Sequence, residues 1–285
     1  MTTSAAIEVE GLRKAYGDHE AVRGVSFAVA RGEVFGLLGP NGAGKTTTVE
    51  ILEGYRPRDG GAVRVLGHDP GDRPVELRER VGIVLQSSGT YPHLTVRETV
   101  AHWATLYRRP RGVEEVISLA GLEEAADRRA RTLSGGQARR LDFALALVGD
   151  PEVIFLDEPT TGFDPAARRN AWDTVRALRD LGKTVVLTTH YLDEAQALAD
   201  RVAIVKDGEV LAEGPPRALG AGGARHRVAW RDADGVRHER ETDDPTRLLH
   251  DLTGAALARG ERLHELSVTR PSLEDVYLEL TAEHE

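Results

Sequence analysis

The stretch Val34-Phe35-Gly36-Leu37-Leu38-Gly39-Pro40-Asn41-Gly42-Ala43-Gly44-Lys45-Thr46 decides the fold. Its first five residues are apolar throughout apart from one glycine, the mark of a strand buried on both faces of a parallel sheet. The next eight match a phosphate-binding loop set between a strand and an apparent helix, which is the context that motif requires. The glycines let backbone N–H groups wrap phosphates, Lys45 reaches toward the β and γ phosphates, and the Thr46 hydroxyl is a ligand for Mg2+. A glycine-rich turn with a stray lysine is the competing reading. It is weak here, because lysine occurs only at Lys14, Lys45, Lys183 and Lys206.

Three more strands of the same kind follow: Val81 to Leu85, Val153 to Leu156 and Thr184 to Leu187. They run into Gln86, into Asp157-Glu158 and into His190. Ligands of open α/β sheets bind at the carboxyl ends of the strands, so these residues and the glycine loop describe one composite site. Asp157 is suited to hold Mg2+ and Glu158 to polarise an attacking water as general base. Taken alone, the pair also reads as solvated carboxylates at a strand end. Gln86 precedes a loop of turn residues and reads either as a ligand of Mg2+ or water, or as a surface glutamine. His190 reads as a hydrogen-bond partner of the γ phosphate, its place on the common sheet edge outweighing a purely structural role. Tyr16, just after the first strand, reads equally as an adenine-stacking ring or as a partly buried core tyrosine.

A second anion site is written into Leu133-Ser134-Gly135-Gly136-Gln137. Ser134 and Gln137 form a capping box at the start of a helix. The two glycines are poor helix formers, each costing about 1 kcal/mol relative to alanine. Glycine in a first turn makes sense where an anion must come close to bare backbone N–H groups.

Around these motifs the pattern divides. Ile7 to Glu10, Val22 to Val29 and Val63 to Leu66 alternate as half-buried antiparallel strands do. Thr95 to about Val148 is helical and interrupts the sheet, as an inserted subdomain of about residues 90–148. Val202 to Val205 and Glu209 to Ala212 flank a hairpin turn at Asp207-Gly208. A break follows at Gly214-Pro215-Pro216 and Gly220-Ala221-Gly222-Gly223. A hairpin within Arg227 to Glu241, a helix over Pro245 to Arg259 and a last helix capped by Ser272 then suggest a small α+β accessory domain, 223–285, after a main domain, 1–222.

The net charge of −9 argues against nonspecific nucleic-acid binding. The absence of cysteine excludes disulfides and thiolate metal sites. No apolar run reaches the roughly 18 residues of a membrane helix. Nor does the start of the chain show a signal-peptide pattern. The expectation is a cytoplasmic chain able to dock onto a membrane protein.

In this order the motifs resemble the nucleotide-binding subunit of an ATP-binding cassette (ABC) transporter, over about residues 5 to 220. The resemblance makes Gly39 to Thr46, with Thr47, the Walker A motif and Gln86 the Q-loop. Leu133 to Gln137 becomes the signature, Val153 to Glu158 the Walker B strand with the catalytic glutamate, Asp164 the D-loop residue and His190 the switch histidine. Tyr16 takes the adenine-stacking position. The tail Arg270-Pro271-Ser272-Leu273-Glu274-Asp275-Val276-Tyr277-Leu278 and the segment Thr160 to Pro165 are similar to the daunorubicin-resistance-like drug-efflux branch. The family D-loop commonly reads Ser-Ala-Leu-Asp, from which Gly162-Phe163 departs. Ala138 likewise stands where many members carry a polar residue.

The resemblance implies a P-loop NTPase core with an antiparallel β subdomain and a helical insertion. It implies an ATP hydrolase using ATP and Mg2+ and lying peripherally at the cytoplasmic face of the cell membrane. One P-loop and one signature per chain imply a head-to-tail homodimer, or a heterodimer with a similar ATPase, driving a separate polytopic permease that exports drugs or lipophilic compounds. Two alternatives belong to other classes: a soluble ABC ATPase acting on ribosomes or nucleic acid, and a nucleotide-regulated module without turnover.

Overall fold

The computed structural model describes residues 5–84, 91–221, 226–232, 234–269 and 273–281. The chain forms two compact units, Met1–Gly214 and Pro215–Glu285, where the sequence reading divides it near 222.

The first unit opens with an antiparallel hairpin, β1 (Ala5–Tyr16) and β2 (His19–Ala30). Buried Val25, Phe27 and Val29 alternate with outward residues along β2, so one face of this hairpin covers a core. The chain then enters β3 (Val34–Leu38), the glycine loop and helix α1 (Lys45–Leu52), before β4 (Gly60–Val65) returns to pair with β1. The three-stranded order is β2-β1-β4, with strands longer than the alternating runs in the sequence.

After α2 (Val75–Arg78) and β5 (Val81–Val84) comes the helical insertion, built from α3 (Val96–Ala104), α4 (Val113–Leu119) and α5 (Gly135–Leu147). Thr95 caps α3 with a reciprocal box to Glu98, as its sequence suggests. Val96, Val100, Val116, Ile117 and Leu141 give this insertion a core of its own.

The chain returns through β6 (Val153–Asp157), α6 (Pro165–Asp180), β7 (Thr184–Thr189), α7 (Leu192–Leu198), β8 (Arg201–Lys206) and β9 (Glu209–Gly214). The sheet order is β5-β6-β7-β3-β8-β9, parallel except for the β8–β9 hairpin. Asp207 and Gly208 both take positive φ, as a two-residue hairpin turn requires. Within β3, β6 and β7 alternate residues serve opposite buried faces, whereas β5, expected from its apolar run to be buried on both faces, is an edge strand with Ile83 exposed. Phe35, Leu37, Phe155 and Val186 join the cluster shared with β1, β2 and α1, whereas Val34, Ile154, Leu156 and Leu187 pack with α5 and α6. This two-sided burial puts the ends of β3, β6 and β7 side by side at one edge.

The second unit contains α8 (Pro216–Ala221), β10 (His226–Arg231), β11 (Arg237–Thr242), α9 (Pro245–Ala258), β12 (His264–Thr269) and α10 (Leu273–Thr281). Its sheet order is β11-β10-β12, closed over Val228, Trp230, Ala256 and Leu273. The hairpin and both helices match the sequence reading. Strand β12 does not: it is an edge strand exposed at every residue, so it carries no burial alternation. Helix α8 occupies the expected break, because Pro216 is compatible with a first helical position. The Ser272 cap falls outside the described residues.

Candidate functional site

The glycine loop connects β3 to α1 and packs closely against its surroundings. A Cβ on Gly39 would lie 2.1 Å from the Val205 carbonyl oxygen, and one on Gly44, at φ 94°, would lie 2.3 Å from that of Ala21. Only glycine fits either place. Gly44 is also the N-cap of α1 and offers no side-chain capping bond, so the first amides of the helix face the loop with the positive end of the dipole. Lys45, 4 % exposed, donates from Nζ to the carbonyls of Gly39 at 2.8 Å and Pro40 at 2.9 Å. Burial pushes its pKa down, while the carboxylates of Glu158 and Asp157 act the other way. A cation, free amides and a helix N-terminus in one concave loop fit a polyphosphate.

Across the loop stands the end of β6. The Thr46 hydroxyl donates to Asp157 at 3.2 Å, and Thr188 on β7 donates to the same Oδ1 at 2.6 Å. Glu158 follows with φ 43°, a left-handed conformation uncommon for a side chain of its size. Its backbone N–H donates to Thr188 Oγ1 at 2.9 Å, so a single buried hydroxyl holds both acidic residues. The Glu158 carboxylate lies 3.3 Å from His190 Nδ1 and 3.9 Å from Lys45 Nζ, and accepts from Thr161 Oγ1 at 3.0 Å. Among the described residues no group of three or more His, Asp or Glu could hold a metal alone. The Thr46 hydroxyl and the Asp157 carboxylate instead form an oxygen pair beside the loop. They fit Mg2+, which is usually held by one or two carboxylates together with substrate phosphates.

A cleft over the loop is lined by Tyr16, Asn41, Gly42, Thr46, Thr47 and Glu158, among others. Tyr16 is 41 % exposed, which is not the burial of a core tyrosine. Its ring lies 5.2 Å from the Arg56 guanidinium and 5.6 Å from Lys14 Nζ. Asp59 ties down this strand end by accepting from Lys14 Nζ and from the Ala15 N–H, both at 2.7 Å.

The structure thus gathers Tyr16, the loop Gly39, Pro40, Asn41, Gly42, Ala43, Gly44, Lys45, Thr46 and Thr47, and Asp157, Glu158 and His190. It does not bring the signature to them. Ser134 and Gln137 make the expected capping box, and Arg128 donates to Gln137 Oε1 at 3.3 Å. A Cβ added to Gly135 or Gly136 would meet nothing within 4 Å, and neither has a positive φ. Nothing among the described residues of the same chain therefore asks for these two glycines. Asp164 caps α6 through the Ala167 amide at 2.8 Å and is likewise absent from the cleft lining. Gln86 lies outside the described residues. Sequence reasoning passed over Thr188, whose part depends on its pairing with Asp157 in the sheet register, and Thr161, whose bond to Glu158 spans only three residues.

Comparison with known proteins bears on what this geometry serves. The profile of the ABC transporter family matches residues 22–161. The chain is 41 % identical over 303 aligned positions to the Nod factor export ATP-binding protein I of Rhizobium sp. (strain N33), covering 98 % of each. The chain belongs to the ABC transporter family. It is also similar to the daunorubicin/doxorubicin resistance ATP-binding protein DrrA of Streptomyces peucetius, at 40 % identity over 97 % of this chain and 92 % of that one. Among solved structures, the dimeric ATP-binding cassette MJ0796 bound to ADP and Pi superposes with a TM-score of 0.65 at 29 % identity, covering 74 % of this chain and 99 % of that one. This ABC protein is accordingly a nucleotide-binding ATP hydrolase with the α/β cassette fold. Subunits of this kind dimerise and work with a membrane permease. No helix among its described residues is long and apolar enough to cross a membrane.

Proposed function

We propose that this ABC subunit powers export of drug-like or lipophilic compounds through a separate polytopic permease, at the cytoplasmic face of the cell membrane. The relatives named for Nod factor export and for daunorubicin/doxorubicin resistance support export. In this reading Glu158 is the general base for the attacking water and His190 holds its carboxylate in place and meets the γ phosphate. Tyr16 stacks on adenine. Lys45 and the amides of the glycine loop bind the phosphates, and Thr46, Asp157 and Gln86 hold Mg2+. The ion, once bound, neutralises charge on the phosphate oxygens. A second copy, or a similar ATPase, lays Ser134 to Gln137 over the same nucleotide, with Asp164 at the junction. ATP closes the pair and hydrolysis reopens it, and the helical insertion with the Gln86 loop passes that motion to the permease.

The observation that carries the hydrolytic part is the Glu158 carboxylate, held between His190 Nδ1 at 3.3 Å and Lys45 Nζ at 3.9 Å in the cleft over the glycine loop. Glu158→Gln tests it. Turnover should be lost while ATP binding and ATP-dependent dimerisation remain, and hydrolysis at the wild-type rate would remove Glu158 from the role of base.

A further inference from the structure

Helix α7 begins two residues after His190 and buries a carboxylate in its first turn. Glu194 is 1 % exposed. Its Oε1 accepts from Thr160 Oγ1 at 2.8 Å and from the Trp172 indole Nε1 at 3.2 Å. Thr160 follows Glu158 by two positions and is itself 1 % exposed. Trp172 is on α6, the helix that Asp164 caps. Its Oε2 is buried with no hydrogen-bond partner among the described residues. A buried carboxyl group costs several kcal/mol unless it is well satisfied, and an apolar residue would fill this place at less cost. Burial pushes the Glu194 pKa up.

The two donors and Glu194 itself lie on the three segments that carry the residues of the proposed chemistry. Thr160 belongs to the turn from Glu158, whose own oxygen accepts from the neighbouring Thr161 at 3.0 Å. Glu194 follows His190 by four positions, and between them the Tyr191 N–H donates to the Thr189 hydroxyl at 2.9 Å. A second tie runs parallel to the first: Arg168 on α6 stacks on the Tyr191 ring at 4.3 Å and pairs with Asp193 at 3.1 Å. Glu194 therefore ties the turn after Glu158 and helix α6 to the helix that follows His190.

We propose that Glu194 is a positioning residue for ATP hydrolysis, setting the register of the Glu158 turn, the His190 strand end and the helix led by Asp164 against one another. The proposal rests on the reading that Glu158 and His190 carry out hydrolysis. It assigns no chemical step to Glu194 itself. Misplacing a reacting group by about 1 Å can cost on the order of 100-fold in rate, so loosening this hub should act on turnover and not on nucleotide affinity.

The test is steady-state ATP hydrolysis by the purified full chain in four variants. Glu194→Ala should lower kcat about 10-fold or more, with KM for ATP within about two-fold of wild type. Glu194→Gln keeps the Oε1 acceptor and should restore most of the rate. Thr160→Val and Trp172→Phe each delete one donor without opening the core, and each should lower kcat several-fold at unchanged KM. These two keep the question decidable if Glu194→Ala does not fold. Wild-type kcat in both donor variants, or a change confined to KM or to thermal stability, would overturn the proposal and leave Glu194 a structural staple. Glu158→Gln run alongside separates the two levels. If that variant keeps its turnover, the reading of the site has failed; if it is dead while the hub variants are normal, only the present inference has.

Discussion

The hydroxyl of Thr188 binds both acidic residues of the site at once, donating to Asp157 Oδ1 at 2.6 Å and accepting from the Glu158 N–H at 2.9 Å. It is fully buried, and it stabilises a glutamate backbone at φ 43° that would otherwise be disfavoured. Thr188→Val keeps the shape and removes both bonds. The orphaned amide should cost about 1–3 kcal/mol of stability, and kcat for ATP should fall more than KM rises. Thermal unfolding and steady-state kinetics on the same preparation check both parts.

The signature glycines should show stability and activity moving in opposite directions. Gly135→Ala places a methyl group in open space and gives the first turn of α5 a better helix former, so the unliganded chain should gain up to about 1 kcal/mol. If a second copy's phosphate has to approach this backbone, ATP hydrolysis should nevertheless drop. Denaturant unfolding without nucleotide, set beside ATPase rates, measures the two effects.

Tyr16 is predicted to govern affinity for the base. Tyr16→Ala should raise KM for ATP by about 10-fold, the scale of one lost base–aromatic stack, with kcat little changed. Asp59→Ala, which releases Lys14 Nζ and the Ala15 N–H from their 2.7 Å bonds, should reproduce a smaller part of that loss. Equal KM values in all three proteins would remove Tyr16 from the binding site.

Glu53, at the end of α1, gives a pH signature. Burial, helped by the nearby charges of Asp157 and Glu50, pushes its pKa up from 4.5 to about 8. Between those two values the folded chain keeps a proton that the unfolded chain has released. The contribution to stability is thus complete below pH 4.5 and declines as pH rises toward about 8, at no more than about 1.4 kcal/mol per pH unit. Glu53→Gln abolishes this term. Its melting temperature should fall less than that of the wild type between pH 5 and 8, in nucleotide-free protein.

Much of this architecture is legible in the chain because the deciding signals are local. A fully apolar strand followed by Gly39 to Thr46 specifies a loop and its ligand chemistry from adjacent residues. The ends of β6 and β7 are readable for the same reason. Two of the unread parts depend on contacts distant in sequence. Thr188 acquires its role only because Asp157 pairs with it across the sheet, and Glu194 only because Thr160 and Trp172 converge on it. Strand β12 escapes because its residues are exposed on both sides, which leaves no periodicity to detect. The double glycine at Gly135-Gly136 is legible as an anomaly from propensity alone. The fold sharpens it, since no neighbour and no positive φ within the described chain accounts for either residue.

The central claim, a site completed by the signature of a second copy, is tested most directly by the mass of the Glu158→Gln protein in solution, with and without Gly135→Asp, at saturating ATP. Light scattering should find a dimer for Glu158→Gln and a monomer for the double variant, while both bind ATP equally at their own P-loops. An ATP-dependent dimer of undiminished affinity in the double variant would contradict the account.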